Sequence, residues 1–172
     1  MAVKQESSKI YFKSLFTIFL VFVSALLMMS IFALILRFSN QLDVINYERR
    51  EMLSYIAFGI ILWFLWKSRK SFRNNISNIK KNEYLVLKTF DFRYIHMIFF
   101  SKLILVSFTS YIGMYYLGED YFLILPAIVL IIYITHFPGK KRMIKVLNLN
   151  NKEIDKIMDP NAIICELATK QS

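Results

Sequence analysis

The amino-acid sequence predicts an all-α membrane protein, a bundle of four transmembrane helices with short cytoplasmic helices attached. Of its 172 residues, 56% are hydrophobic and 20% are charged, and the mean hydropathy is +0.45. A soluble domain is about half apolar and about a quarter charged. The apolar residues form four blocks, and most lysines and arginines lie before the first block, between the second and third, or after the fourth. These observations exclude a disordered chain, a disulfide scaffold and most soluble enzymes.

The first two blocks differ in length. Residues 14–36 carry no charge over about 35 Å of helix and follow several lysines, which predicts an uncleaved first span. The second span, predicted at about 48–66, has an uncharged core of only about 22 Å against a hydrocarbon layer of about 30 Å. It can cross if flanking basic side chains extend to the headgroups and Trp63 and Trp66 lie at an interface. A re-entrant or buried helix is the alternative.

The third and fourth blocks predict a helical hairpin. The third span covers 95–117 and contains one charge, Lys102, and the fourth covers 121–137. Pro126 lies inside the fourth block and is expected to kink it, as membrane helices tolerate. Only residues 118–120 separate the two blocks, and so short a link requires neighbouring antiparallel helices.

The distribution of lysine and arginine predicts the orientation. Three lie before the first span, eight in the loop 67–93 and seven in the tail 138–172. The opposite side holds only Arg37, Arg49 and Arg50. The positive-inside rule therefore places both termini and the loop in the cytoplasm, for a multi-pass protein of a bacterial cytoplasmic (inner) membrane. Residues 1–137 form the transmembrane domain in this interpretation, and 138–172 form a cytoplasmic tail.

Basic side chains in the loop are candidates for contact with anionic lipid headgroups or another anion. Apolar residues recur there at helical spacing, which favours a basic amphipathic segment in the headgroup layer. Lys102 is added because an intramembrane charge suggests function, although it is near enough to the cytoplasmic end of its span to extend to the headgroups. The candidates are Lys102, Arg73, Lys80, Lys81 and Lys88. The alternative is a solvated loop that only sets the topology.

The tail carries two helix-start signals. Asn150 followed by Glu153 is typical of a capping box, which predicts a helix near 151–158. Asp159 followed by Pro160 places a capping residue before a first-turn proline, which predicts a second helix near 160–168.

The tail also resembles that of a group of small uncharacterised bacterial four-span membrane proteins. The resemblance rests on the run Phe-Pro-Gly-Lys-Lys-Arg-Met-Ile-Lys-Val-Leu-Asn-Leu at 137–149, on Glu153, and on Asp-Pro-Asn-Ala-Ile at 159–163. In the third span such proteins often carry Glu-Gly-Pro, where this chain has Ser-Lys-Leu at 101–103. The resemblance implies an inner-membrane location and no particular activity.

The sequence contains no set of residues that predicts catalysis, a metal site or a cofactor. No Ser-His-Asp or Cys-His arrangement, paired catalytic carboxylates or phosphate loop can be assembled. His96 and His136 lack a cysteine or a nearby carboxylate, and Cys165 is the only cysteine. Five carboxylates on the outer side are interpreted as hydrated loop charges rather than a cation site: Asp43, Glu48, Glu51, Glu119 and Asp120.

The predicted function is therefore non-enzymatic. Thr109 and Gly113 have the small-xxx-small spacing that lets helices approach closely, within the bundle or against a second copy. We expect an accessory or scaffold protein, either a subunit of a membrane complex or a homo-oligomer, with anionic lipids on its cytoplasmic side. The net charge of +10 is assigned to topology rather than to nucleic-acid binding. The alternative is a small oligomeric transporter or channel.

Overall fold

A computed structural model describes residues 2–39, 49–81 and 84–169. Within these ranges the chain is mainly helical, as predicted, and it also forms a pair of strands that the sequence did not predict. The elements in chain order are β1 (Ala2–Ser7), α1 (Ser8–Phe38), α2 (Arg50–Ile79), α3 (Leu85–Leu117), a 3-10 helix (Asp120–Leu123), α4 (Ile124–Thr135), α5 (Lys140–Leu147), α6 (Asn151–Met158) and β2 (Ile163–Thr169).

The helices α1, α2 and α3 are long and apolar enough to cross a membrane. The number rises to four if the bent pair Asp120–Thr135 and Lys140–Leu147, which meet at 85°, is taken as one span. The predicted spans 14–36 and 95–117 lie inside α1 and α3, and α3 ends at the predicted residue. The described helices are therefore compatible with a multi-pass membrane protein of three or four spans.

Much of the segment 67–93 is helical, in keeping with the helical spacing of its apolar residues. The helix α2 continues beyond its apolar block to Ile79, because Phe72, Ile76 and Ile79 recur at helical spacing and are buried along one face. The next helix, α3, begins at Leu85. Residues 50–66 of the second predicted span therefore form part of the 30-residue helix Arg50–Ile79, and residue 48 lies outside the described residues.

The fourth apolar block begins as a 3-10 helix and becomes α-helical at Ile124. Pro126 lies in the first turn of α4, where its missing N–H costs no hydrogen bond. The irregularity expected from this proline therefore falls at the start of the α-helix. Regular structure in α4 ends at Thr135, before Pro138.

The predicted short link between the third and fourth blocks is confirmed. After α3 ends at Leu117, Gly118 adopts a positive φ of 71°, a conformation that glycine takes without a steric penalty. Its N–H donates to the carbonyl of Met114 at 2.9 Å, which closes the end of α3. The 3-10 helix then starts at Asp120.

The chain divides into two compact units. The terminal unit consists of Met1–Leu20, Ser71–Ile98 and Phe137–Ser172, and the central unit consists of Val21–Lys70 and Phe99–His136. Each unit has its own buried core. In the terminal unit the largest fully buried side chains include Tyr11, Phe92 and Met143, and in the central unit Phe100, Phe122 and Tyr133.

The two strands pair antiparallel within the terminal unit, with Ala2 opposite Thr169 and Glu6 opposite Cys165. The pairing continues into α1, because the N–H groups of Ser8 and Lys9 donate to the carbonyls of Ala162 and Pro160 at 2.9 and 3.1 Å. These bonds satisfy two of the donors that the first turn of a helix leaves without intrahelical partners.

The prediction of a second tail helix near 160–168 is wrong. The Asp159 carboxylate accepts a hydrogen bond from the N–H of Asn161 at 2.9 Å, so it closes a local turn instead of starting a helix. The chain then enters β2, which has an extended partner in β1. A distant strand therefore overrides a local helix signal.

The other predicted tail helix, α6, is confirmed together with its capping box. The side chain of Asn150 accepts from the N–H of Glu153 at 2.8 Å, and the Glu153 carboxylate accepts from the N–H of Asn150 at 2.9 Å. The sequence did not predict the preceding helix α5, which buries Met143 and Leu147.

The central unit combines a packed interior with a strongly apolar exterior. Large hydrophobic side chains along α1 and α2 are highly exposed, among them Met28 at 72% and Phe32 at 62%. Exposed apolar surface of this extent marks contact with a membrane or another protein. The most apolar window of α3 is 44% buried, against 17% for those of α1 and α2, so α3 is the most enclosed of the three helices.

Candidate functional site

The predicted basic residues separate into exposed and buried groups. Arg73, Lys80 and Lys81 are exposed near the end of α2, where they are free to meet an anionic surface. Lys88 is only 8% exposed, and its ammonium contacts a carboxylate oxygen of Glu153 at 2.6 Å. Because Glu153 also caps α6, Lys88 connects α3 to the tail inside the terminal unit.

Lys102 lies on α3 in the central unit, partly buried beside the enclosed Leu103 and Val106. Among the described carboxylates, none lies within ion-pair distance of its ammonium. This matches the sequence, because the predicted span 95–117 contains no acidic residue. Lys102 is therefore a partly buried cation with no carboxylate beside it in the described chain.

A second buried ion pair lies in the terminal unit, and sequence reasoning did not find it. The guanidinium of Arg93 on α3 binds the carboxylate of Glu6 on β1 and stacks over the ring of Tyr11, 4.5 Å from its centroid. The Tyr11 hydroxyl donates to the carbonyl of Thr89 at 2.7 Å, and the Thr89 hydroxyl donates to the carbonyl of Ile164 at 2.5 Å. These polar groups hold both strands against α3.

The two histidines belong to different units, and each packs against aromatic rings. His96, in the terminal unit, is 1% exposed and lies between Phe72 and Phe92, with Nδ1 2.8 Å from the Phe92 carbonyl. His136, in the central unit, has Nδ1 2.9 Å from the carbonyl of Ile132. Residues 2–39, 49–81 and 84–169 contain no group of three or more potential metal ligands.

The acidic tip after α3 makes ion pairs within the central unit. Asp120 binds Arg37 through two contacts of 2.6 and 3.0 Å, and Glu119 lies 3.8 Å from Arg50. The bidentate geometry favours Arg37 and Asp120 as a fixed connection between α1 and the 3-10 helix. Of the other outer carboxylates, Glu51 is exposed, and Asp43 and Glu48 lie outside the described residues.

Gly113 lies at a close approach within the central unit. A Cβ atom at this position would lie 2.7 Å from the ring of Phe122 in the 3-10 helix. Ser110, one turn earlier, donates its hydroxyl to the Phe122 carbonyl. The hydroxyl of Thr109 bonds to the carbonyls of Leu105 and Val106 in its own helix. The structure thus places Gly113 at a tight contact within the chain.

An apolar groove of about 450 Å³ runs between α1 and α3 in the central unit. From α1 it is lined by Met29, Phe32, Ala33 and Leu36, which share one face because they are three or four residues apart. Six side chains line it from α3: Phe108, Tyr111, Ile112, Met114, Tyr115 and Tyr116.

The polar groups in the groove wall are partly satisfied within the protein. The hydroxyls of Tyr111 and Ser30 bond to each other at 2.5 Å, and Ser30 also donates to the carbonyl of Leu26. The remaining lining is mostly aliphatic and aromatic. Such a wall suits an apolar occupant, and the sequence did not reveal it because it depends on the register between two helices.

Comparisons with known proteins find no matching family model, no matching curated protein and no matching solved structure.

Proposed function

We propose that this chain is a non-enzymatic accessory protein of a bacterial cytoplasmic membrane, either a subunit of a membrane complex or a homo-oligomer. The groove between α1 and α3 carries this proposal, because it gives the central unit an open apolar cavity with a volume of about 450 Å³. Interfaces between membrane helices depend on close packing of such surfaces. In the proposal, the groove receives a transmembrane helix from a partner subunit or a second copy.

The distribution of charge supports the membrane part of the proposal. The segments before the first apolar block, between the second and third apolar blocks, and after Phe137 contain eighteen of the 22 lysines and arginines. With α4 as a fourth crossing, these segments all lie in the cytoplasm, as the positive-inside rule requires. Both termini are cytoplasmic in the proposed topology.

The use of ionisable groups supports an accessory role. The ion pairs Lys88–Glu153 and Arg93–Glu6 tie elements of the terminal unit together, and Arg37–Asp120 does so in the central unit. Charges engaged in this way connect elements of the fold. The described ion pairs therefore favour a structural role for these groups over a catalytic one.

Site-specific photocrosslinking tests the groove. A photoreactive amino acid replaces Phe32 in the groove, and in the matched control it replaces Ile31 on the same helix. The two side chains are similarly exposed, at 62% and 58%, but a step of one residue turns them about 100° apart. Irradiation of native membranes should give a discrete protein adduct from position 32 and much less from position 31.

The adduct mass separates the two forms of the proposal. A species of twice the 20.5 kDa chain identifies a second copy, and another discrete mass identifies a different subunit. Lipid adducts alone from position 32, or the same protein adducts from both positions, contradict the proposal.

A small oligomeric transporter or channel is the second candidate, and Lys102 is the observation that favours it. A partly buried cation in a span is suited to an anionic substrate. Two nearby hydroxyls are already used within the chain: Ser107 bonds to the carbonyl of Leu103 at 3.2 Å, and Ser110 bonds to that of Phe122. Unchanged anion flux through vesicles carrying Lys102→Ala contradicts this candidate.

A further inference from the structure

One face of α2 in the central unit carries two matched pairs of tryptophan and lysine. The ammonium of Lys67 lies 4.8 Å from the ring centroid of Trp63, and that of Lys70 lies 5.1 Å from Trp66. Spacings of three and four residues place all four side chains on the same face. Each of the four is exposed, the tryptophans at 55% and 58%. We call these four residues the Trp–Lys face.

Stacking on an indole ring positions each ammonium and leaves its N–H donors available to a ligand. A lysine ammonium has three N–H donors, and the ring attracts the charge through its π-face. Neither Lys67 nor Lys70 forms an ion pair with a carboxylate in the part of the chain that the structure describes. Two positive charges one helical turn apart are therefore available to bind an anion.

An exposed apolar stripe leads along the same face to these lysines. Ile56 and Ile60 are 48% and 59% exposed, and Gly59 between them has no heavy atom within 4 Å of the position that a Cβ would take. The rise from Ile56 to Lys67 is about 16 Å, close to half of a hydrocarbon layer of about 30 Å. The stripe thus matches the depth of one leaflet.

We propose that this face binds an anionic phospholipid. Its phosphate contacts the ammonium groups of Lys67 and Lys70, and an acyl chain lies along Ile56, Gly59 and Ile60. Tryptophan rings concentrate at the same level of a bilayer, between the headgroups and the acyl chains. The inference rests on the membrane placement in the proposed function and adds a defined lipid site that does not involve the α1–α3 groove.

The protein contains its own reporter for this site, because Trp63 and Trp66 are the only tryptophans in the sequence. The purified full-length chain is reconstituted into vesicles of phosphatidylcholine and phosphatidylglycerol. Two series of vesicles are compared. In the first, the phosphatidylglycerol is brominated near the headgroup end of its acyl chains. In the second, the phosphatidylcholine is brominated at the same place. Bromine quenches tryptophan at short range, so the quenching curves give the relative affinity of the face for the two lipids.

We expect a preference for phosphatidylglycerol of at least about fivefold, since a single lysine near an anionic surface contributes about that factor. The double variant Lys67→Gln/Lys70→Gln should lower the preference to about one. The control Lys152→Gln/Lys156→Gln removes the same charge from exposed positions on α6 and should keep it. Quenching by brominated phosphatidylcholine verifies that each variant is inserted.

The outcomes separate failure of this inference from failure of the proposed function. Equal quenching by both lipids in the unaltered chain, or equal loss of preference in both double variants, overturns the lipid site while leaving the membrane placement intact. No quenching by either lipid contradicts the membrane placement itself.

Discussion

Lys88 and Glu153 form an ion pair whose side chains are 9% and 10% exposed. Each charge depends on the other, because a buried charge that loses its partner retains its desolvation penalty. Glu153 is doubly used, since its carboxylate also accepts the N–H of Asn150 at the start of α6. At the scale of single residues, this pair is the clearest case of a predicted surface charge used inside the protein.

Lys88→Met should lower the free energy of unfolding by about 3 kcal/mol, because it leaves Glu153 buried without its cation. Lys81→Met, at an exposed position, should change it by less than about 0.5 kcal/mol. Adding Glu153→Gln to Lys88→Met removes the second charge and keeps a residue suited to the capping box. Denaturant titration in detergent micelles should find the double variant more stable than Lys88→Met alone, and the opposite order contradicts this role for the pair.

At the scale of elements, the contact between α3 and the 3-10 helix fixes how the chain turns after its third long helix. The hydrogen bond from Ser110 to the Phe122 carbonyl, the packing of Phe122 against Gly113 and the pairing of Asp120 with Arg37 all lie within this region. Together they hold the turn by a polar bond, a close contact and an ion pair.

Gly113→Ala should therefore destabilise the central unit by about 1–3 kcal/mol, because its Cβ would lie 2.7 Å from a buried ring. The matched control is Gly59→Ala in α2, where the added methyl meets no heavy atom within 4 Å. There the change should stabilise the helix by about 0.5–1 kcal/mol. Thermal unfolding in nanodiscs measures both, and equal effects of the two substitutions contradict the tight contact.

The elements also show what sequence reasoning can reach. The start of α6 was predictable because Asn150 and Glu153 interact within one helical turn. The end of α3 was predictable from the break in hydrophobicity. The pairing of β1 with β2 was not, because its partners lie far apart in sequence and Asp159–Pro160 is a valid local helix start. The burial of Lys88 was not predictable either, because it depends on an ion pair with Glu153, which is distant in sequence.

At the scale of the whole molecule, exposed apolar side chains and asymmetric charge together predict a topology that labelling can test. Cys165 is fully buried, so it is a poor probe of either side, and its replacement by serine provides a background for new cysteines. Exposed positions on both sides of the predicted bilayer are available among the described residues. Lys81 and Lys141 represent the cytoplasmic side, and Glu51 represents the opposite side.

In that background, Lys81→Cys and Lys141→Cys should react with a membrane-impermeant maleimide only after the cytoplasmic side is opened. Glu51→Cys should react in intact cells, because the positive-inside rule places it on the outer side. Gel mobility of the labelled chain reports each reaction. Labelling of Lys81→Cys and Lys141→Cys from opposite sides would mean that an odd number of crossings separates them, which contradicts the four-span topology.

The pairing of β1 with β2 has a consequence for biosynthesis. A ribosome makes β1 and the first turn of α1 before any helix that follows, yet their hydrogen-bond partners lie at 160–169. The strand β1 therefore lacks its partner until the described helices α1–α6 have been translated. Docking of β2 can therefore complete the terminal unit only after the described helices α1–α6 have been synthesised.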